Sequence, residues 1–422
     1  MTFGARNRGR FLLMLALGVV TLALNLWKKA MTVPSVEVKS MASTSSESVL
    51  TKRYSEAYEE NTDEGAALEK SQEVDGEEDA DIVEDVDGAE AAHRLRELGL
   101  SLRNYTLPGC HCARLGIDMG DLRRARAEAE RGSERFPRWF LERFSFAGES
   151  TCSDFATQRG GRQRVLSFCY FAYRGTLPGS KEQRKYMSFA YMNAKDIKRI
   201  YPGWLMRIYH SVTAEDLHGT EELCRIYCDH PHVDLCLAHD LPGVGNLSRR
   251  GVYGRLWRYT PMGDPTVAAF HCRDIDSYVL ERDAAAVREW LESGKTYHAI
   301  HDHPGNIAVL MGGLWGGLNK DLQLMRRLRD TMFNRTAIVR KSLDQKLLRA
   351  IVWPEIKHDL LDHASYPCQH PELGPTAPLP TRRVGREYCG LSAFNPNLSL
   401  PILQTDCPVE CRPKEHLDWI KC

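Results

Sequence analysis

The chain has 422 residues, with 56 Lys and Arg against 56 Asp and Glu, and 13 cysteines. That length suits one large domain or two small ones plus accessory segments, and zero net charge argues against a dedicated nucleic-acid binder. The balance is uneven along the chain: 59–90 is strongly acidic with Lys70 its only basic residue, which leaves the rest a basic excess suited to sugar nucleotides, phospholipid heads or sulfated glycans.

Residues 11–27 form an apolar run broken only by Gly18, Thr21 and Asn25. As a helix it spans roughly 25 Å at about 1.5 Å per residue, short for an average bilayer but suited to a thinner early-secretory one. Arg6, Arg8 and Arg10 precede it and Lys28 and Lys29 follow, so the slight excess in front places residues 1–10 in the cytoplasm. The sequence thus predicts a single-pass type II signal anchor in the Golgi or ER membrane, with the carboxyl-terminal part luminal. A cleaved signal peptide is the rival, for which Trp27-Lys28-Lys29 is a poor cleavage context. Residues 28–91 are poor in aromatics and rich in Ser, Glu, Asp and Ala, and read as a disordered stem.

A folded domain is expected over 92–366. Helical spacing occurs at 93–102 and 119–131. A buried strand is expected at 164–172, a helix at 186–199, a strand at 204–209, a helix at 221–228 and a strand at 266–272. Helices follow at 283–293, with Asp283 as N-cap and Gly294 past the end, and at 321–333 and 343–351. Strands alternating with helices predict an α/β, Rossmann-type domain: a mostly parallel sheet flanked by helices. The segment 367–422 is rich in Pro and Cys and reads as a stapled, irregular carboxyl-terminal extension.

No cysteine precedes Cys110, and four sequons begin at Asn104, Asn246, Asn334 and Asn397. Behind an apolar segment this points to an oxidising lumen and to disulfides. Zinc is the other option for the cysteines, since Cys224 and Cys228 lie a helical turn apart and His230, His232, Cys236 and His239 follow, without a clean paired spacing.

The motif with the most chemistry in it is Arg273-Asp274-Ile275-Asp276-Ser277, just past a strand. Two carboxylates one residue apart can share a cation of the Mg²⁺ or Mn²⁺ kind, which prefers oxygen ligands and fills its shell with water and substrate phosphates. Ligands in open α/β sheets bind beyond the carboxyl ends of strands. The chain has no G-x-x-x-x-G-K-[ST] loop, which argues against kinase or sulfotransferase chemistry. Asp274 as a turn cap, Asp344 as a helix-terminal carboxylate, His301 and His303 as loop residues satisfied by backbone, Gly312, Gly313, Gly316 and Gly317 as residues for turns and close backbone approach, and Trp257, Trp290 and Trp353 as core are the structural alternatives.

Taken in order, Tyr201-Pro202-Gly203-Trp204, Trp257-Arg258-Tyr259, Gly263-Asp264-Pro265, the D-x-D segment, Ala286-Val287-Arg288-Glu289-Trp290, His301-Asp302-His303-Pro304, Gly312-Gly313-Leu314-Trp315-Gly316, Asp344-Gln345 and His363-Ala364-Ser365-Tyr366 resemble a group of GT-A type glycosyltransferase-like proteins. The resemblance covers about 164–368. It implies a metal-dependent transferase that moves a sugar from a nucleotide-sugar donor to a glycan or glycoprotein acceptor. Carried over by position, Asp274, Asp276 and His363 would hold Mn²⁺ or Mg²⁺. Arg258, Arg273 or Arg282 would add fixed positive charge at the donor phosphates, with Arg258 and Arg273 beside the two aspartates. Asp302 or Asp344 would serve as base for the acceptor hydroxyl. The chain departs from the family pattern at His301, where Arg is usual, and at Ala364, where Asp is usual. Those departures keep open an inactive relative that binds glycans or partners of the secretory pathway.

Overall fold

The computed structural model describes residues 88–171, 178–335, 342–394, 402 and 404–422. The expected anchor over 11–27, nearly all of the expected stem and Asn397 lie outside them. No helix among the described residues is long and apolar enough to cross a membrane.

An amino-terminal lobe comes first. Helix α1 (Gly88–Glu97) begins inside the segment read as stem and buries Ala92. It stops before Gly99, whose φ of +69° continues no helix, so the helix expected over 93–102 both starts and ends five residues earlier than its spacing suggests. Strands β1 (Leu102–Tyr105) and β2 (Arg114–Ile117) pair antiparallel. Helix α2 (Met119–Glu130) starts at Asp118, whose side chain accepts from the Gly120 and Asp121 amides. Helices α3 (Arg138–Phe144) and α4 (Asp154–Gln158) follow. Leu100, Ile117, Leu122, Phe136, Phe140 and Phe144 form this lobe's own apolar cluster.

The main sheet is built on β3 (Gln163–Tyr170), where Val165, Leu166 and Phe168 are all fully buried. A strand apolar on both faces belongs in a parallel sheet covered by helices. Helix α5 (Lys181–Ile200), capped by Ser180, leads to β4 (Trp204–His210). Helix α6 (Leu217–Asp229), capped by Asp216, leads to β5 (Val233–Leu237). A 3₁₀ turn (Gly254–Tyr259) precedes β6 (Val267–Arg273). Helix α7 (Glu281–Glu292), β7 (Tyr297–His301), β8 (Leu314–Leu318) and α8 (Leu322–Phe333) come next. Last are α9 (Leu343–Leu347), a π-helical turn (Leu348–Val352), α10 (Trp353–Ile356) and β9 (Leu360–Ala364).

The strand order is β5-β4-β3-β6-β8-β7-β9. All pairings are parallel except those of β8, which runs against both β6 and β7. Successive strand residues point to opposite faces, and two clusters result. Leu166, Phe168, Met206 and Ile208 pack under α5, α6 and α7. Val165, Tyr209, Phe270 and Trp315 pack under the 3₁₀ turn, α8 and the π-helical turn. The chain leaves β3 toward β4 and β5, then returns to lay β6 on the other side of β3. That reversal marks the switch point at the carboxyl ends of β3 and β6, where open α/β sheets have their ligand-binding crevice.

The sequence expectations need correction in places. Gly316 and Gly317 lie inside β8 and not in a turn, but the close backbone approach expected of them holds: a Cβ on Gly316 would sit 2.3 Å from the Phe270 carbonyl oxygen. Asp283 is not the N-cap of α7 but its third residue, accepting from the Leu280 amide at 3.2 Å. Segment 367–422 carries the disulfides Cys368–Cys411 and Cys407–Cys422 and packs closely on the sheet domain. Leu379 and Cys389 share an apolar cluster with Ala286, Ile300 and Leu314.

Candidate functional site

The residues after β6 turn sharply, with the Ser277 amide donating to the Asp274 carbonyl at 3.1 Å. Ile275 is driven into the core against α5 and α7, so the flanking Asp274 and Asp276 stay partly exposed beyond the strand end. The apolar middle residue of the motif thereby fixes both carboxylates outside the sheet.

The 3₁₀ turn seats Arg258 over the crevice. Its carbonyl accepts from Ser167 Oγ of β3 at 2.7 Å and from Cys272 Sγ of β6 at 3.5 Å. The buried guanidinium then bridges two carboxylates: Nη1 to Asp274, and Nη2 to Asp344 Oδ2 at 2.7 Å. Asp344 Oδ1 is buried with no hydrogen-bond partner among the described residues. The loop before β8 closes on this cluster, and only glycine fits it. A Cβ on Gly312 would lie 2.5 Å from Arg258 Nη2, and one on Gly313 would lie 2.3 Å from Asp274 Oδ2.

The two aspartates ionise differently. Burial opposes the charge of Asp274, but Arg258 beside it outweighs that, and its carboxyl is held below the usual aspartate value. Burial and the neighbouring Asp274 push the Asp276 carboxyl above that value, against a hydrogen bond donated by Ser392 at 3.1 Å. The crevice therefore concentrates more negative charge than its fixed partners neutralise. Arg255, one 3₁₀ turn before Arg258, adds a half-buried cation whose field reaches Asp274, Asp276 and Asp344. It makes no hydrogen bond or ion pair among the described residues. Beside Asp276, Tyr186 of α5 packs against Phe394 at 4.5 Å between ring centres, and Phe189 lies 5.5 Å from Phe394.

The fold thus brings together Asp274, Asp276, Arg258 and Asp344, and separates the other candidates. Arg273 points into the protein: it is buried, pairs with Asp283 at 2.8 Å and donates to the Tyr278 carbonyl at 2.7 Å. It ties β6 to α7 and is not available to a donor phosphate. His363 lies across β8 and β7 from the end of β6, in a register where Arg273 pairs Leu314 and Ile300 pairs His363. Three strand spacings are roughly 14 Å at about 4.8 Å each, too far to share a cation with Asp276. His363 is buried instead, hydrogen-bonded to His298 at 2.8 Å and 3.3 Å from Glu289. Asp302 is also internal. Arg282 grips it at 2.9 and 3.0 Å, Arg383 at 2.5 and 3.3 Å, and the Cys389 amide donates at 3.0 Å. Burial opposes its charge, but the two arginines win and hold its carboxyl near about 2. A base must reach an acceptor hydroxyl, and Asp302 does not face one. His301 pairs with Asp362 at 2.6 Å and meets the Ala308 carbonyl at 2.8 Å.

Sequence reasoning missed Arg255, Ser392 and the Tyr186–Phe394 pair. For Arg255 a signal exists: Arg255 and Arg258 are three apart after Gly254, and a 3₁₀ turn places such residues on one edge. For Ser392 and Phe394 there is none, because they arrive from a distant, irregular segment. Gly263-Asp264-Pro265, one of the family-like words, is structural. Asp264 is buried and paired with Arg207 at 2.8 Å, with Ser150, Thr151 and Thr266 donating to it.

No family model matches the chain, and no curated protein matches it. Among solved structures it is similar to a glycosyltransferase involved in the glycosylation of the major capsid of PBCV-1, at 13% identity and a TM-score of 0.30, over 48% of this chain and 81% of that one. At that TM-score the likeness adds nothing to the reading of the site.

Proposed function

We propose that the chain is a metal-dependent glycosyltransferase, moving a sugar from a nucleotide-sugar donor to a glycan or glycoprotein acceptor. One observation carries the reading: the paired carboxylates of Asp274 and Asp276 stand beyond β6, beside the reversal of strand order, within the field of Arg255, which has no ion-pair partner among the described residues. The donor set fits Mn²⁺ or Mg²⁺, since both groups offer oxygen and leave most of a shell to water and phosphate. A divalent cation held there would offset the charge that develops on the departing diphosphate.

The chain's own residues divide the remaining work. Arg255 binds diphosphate oxygens, and Arg258 orients Asp274 while Gly312 and Gly313 keep the space above it clear. Tyr186 and Phe394, whose rings tilt 41° to one another, offer aromatic surface for the nucleobase. Asp344 is buried, as Asp302 is, but adjoins the D-x-D pair through Arg258, and it accepts the acceptor's proton only where its buried Oδ1 is uncovered. Type II insertion in a Golgi or ER membrane belongs to the same proposal. The disulfides favour an oxidising compartment, in keeping with it.

Calorimetric titration of the full-length chain with UDP and with GDP, with and without Mn²⁺, tests the proposal. Metal-dependent binding of one nucleotide, abolished in Asp276→Asn, is the expected result and names the donor's base. A folded protein that binds neither nucleotide overturns the transferase reading in favour of an inactive, glycan-binding relative.

A further inference from the structure

Far along the chain from the D-x-D segment, four sulfurs gather in one place. Disulfides Cys110–Cys224 and Cys112–Cys228 join the loop between β1 and β2 to helix α6. The two bonds are not independent. Cys110 Sγ lies 3.5 Å from Cys112 Sγ and 3.4 Å from Cys228 Sγ, and Cys224 Sγ lies 3.8 Å from Cys228 Sγ. His111 Nδ1 stands 3.7 Å from Cys224 Sγ. The ligand atoms of Cys110, His111, Cys224 and Cys228 all fall within 4.8 Å of one another, and no other such group occurs among the described residues.

Local structure explains the convergence. Cys224 and Cys228 are four apart on one face of α6. The facing loop is held by contacts that do not involve sulfur. Arg114 donates to the carbonyls of Tyr227, His230 and Val233 at 2.6, 2.8 and 2.6 Å, and the Tyr227 hydroxyl donates to the Tyr105 carbonyl at 3.1 Å. Breaking the S–S bonds therefore leaves the cysteines facing one another. Four thiolates around a tetrahedral zinc, each at about 2.3 Å, stand roughly 3.8 Å apart. Three contacts between the two disulfides, at 3.5, 3.4 and 3.8 Å, already match that spacing, and Cys112, outside the group that closes within 4.8 Å, completes the set once its bond to Cys228 opens. Cys110, Cys112 and Cys228 are partly exposed, so reductant and metal can reach them.

We infer that these four sulfurs form a second metal site, which holds one zinc-class cation as a tetrathiolate when reduced and closes as two disulfides when oxidised. Each S–S bond takes two electrons and two protons from a dithiol reductant, which itself becomes a disulfide. The four thiols then release four protons as one Zn²⁺ binds. In either state the cluster cross-links the amino-terminal lobe to α6. Its soft sulfur donors select a different metal from the oxygen pair Asp274 and Asp276.

Cobalt tests the inference, because a thiolate-to-cobalt charge-transfer band reports sulfur ligation and ignores carboxylate sites. The full-length chain is reduced anaerobically and titrated with Co²⁺, then with Zn²⁺. Expected are one equivalent of Co²⁺ with tetrahedral d–d and charge-transfer bands, displacement by Zn²⁺, and no such bands in the oxidised protein. Cys112→Ser and Cys228→Ser lose or weaken the bands several-fold, whereas His111→Ala and the Cys407→Ser/Cys422→Ser control keep them. The assignment is overturned if reduced wild type with an unchanged far-UV spectrum shows no bands, or if bands persist in Cys112→Ser but vanish in His111→Ala. It also fails if reduction unfolds the chain and Zn²⁺ does not restore the far-UV spectrum.

Discussion

Asp274 and Asp276 are two positions apart, yet ionisation acts on them with opposite sign. Arg258 holds the Asp274 carboxyl below its unfolded value, so that charge stabilises the fold above the usual aspartate range and is lost as pH falls through the depressed value. Burial and Asp274 hold the Asp276 carboxyl above its unfolded value, so its ionisation costs stability once pH rises through that value. At neutral pH without metal, Asp274→Asn should lower the melting temperature and Asp276→Asn should raise it. The Asp276→Asn gain should vanish below the usual aspartate range. Thermal scans of both variants from acid to neutral pH check this, and Asp276→Asn destabilising at neutral pH would contradict it. A residue kept at a cost in stability is what a ligand-binding role would produce.

The loop before β8 shows how elements decide what residues can do. Gly312 and Gly313 are placed by the Met311–Leu314 turn, whose amide-to-carbonyl bond is 3.0 Å. A methyl at Gly313 meets the Asp274 carboxylate and its backbone amide. Gly313→Ala should therefore weaken Mn²⁺-dependent nucleotide binding about tenfold or more, which corresponds to about 1.4 kcal/mol. The secondary structure should remain unchanged by circular dichroism, and unaltered binding would show that the loop does not shape the site. The same scale explains which elements the sequence discloses. Long amphipathic helices such as α5 and α8 and apolar strands such as β3 and β4 declare themselves by periodicity. Strands β5, β7, β8 and β9 do not: each has five residues, and they carry Asp234, His298, His301, Gly316, Gly317, Asp362 and His363. Those residue types read as loop or ligand, and only pairing with neighbours already in the sheet makes strands of them.

Across the whole molecule, the segment 367–422 is joined to the sheet domain by charge as well as by packing. Arg383 reaches back to Asp302 and also donates to the Cys422 carbonyl at 2.9 Å through Nε and 2.6 Å through Nη2. Ser392 comes from the same segment to Asp276. Asp302→Asn would leave Arg282 and Arg383 buried without their shared counter-ion, at a cost of about 3–5 kcal/mol. In wild type this support is complete above the usual aspartate value and is lost as pH falls toward about 2. Urea unfolding at neutral pH measures the loss, and a change within experimental error would show that the ion-paired triad does not bind the segment to the sheet.

Sequence by itself determined the α/β class, the strand-end placement of Asp274 and Asp276, and the disulfide-rich character of the chain. Each is a local property: a periodicity, a spacing, a composition. Tertiary structure decided which of the candidate residues share a space. His363 is two residues from Leu361 in sequence but several strands from Asp276 in the sheet, and Asp302 adjoins His301 yet belongs to an ion pair with Arg383. Strand order sets those distances, and strand order depends on contacts between residues far apart in the chain. The same reason hid the meeting of Cys110 and Cys112 with Cys224 and Cys228, whose sulfurs converge across separations of 114 and 116 residues.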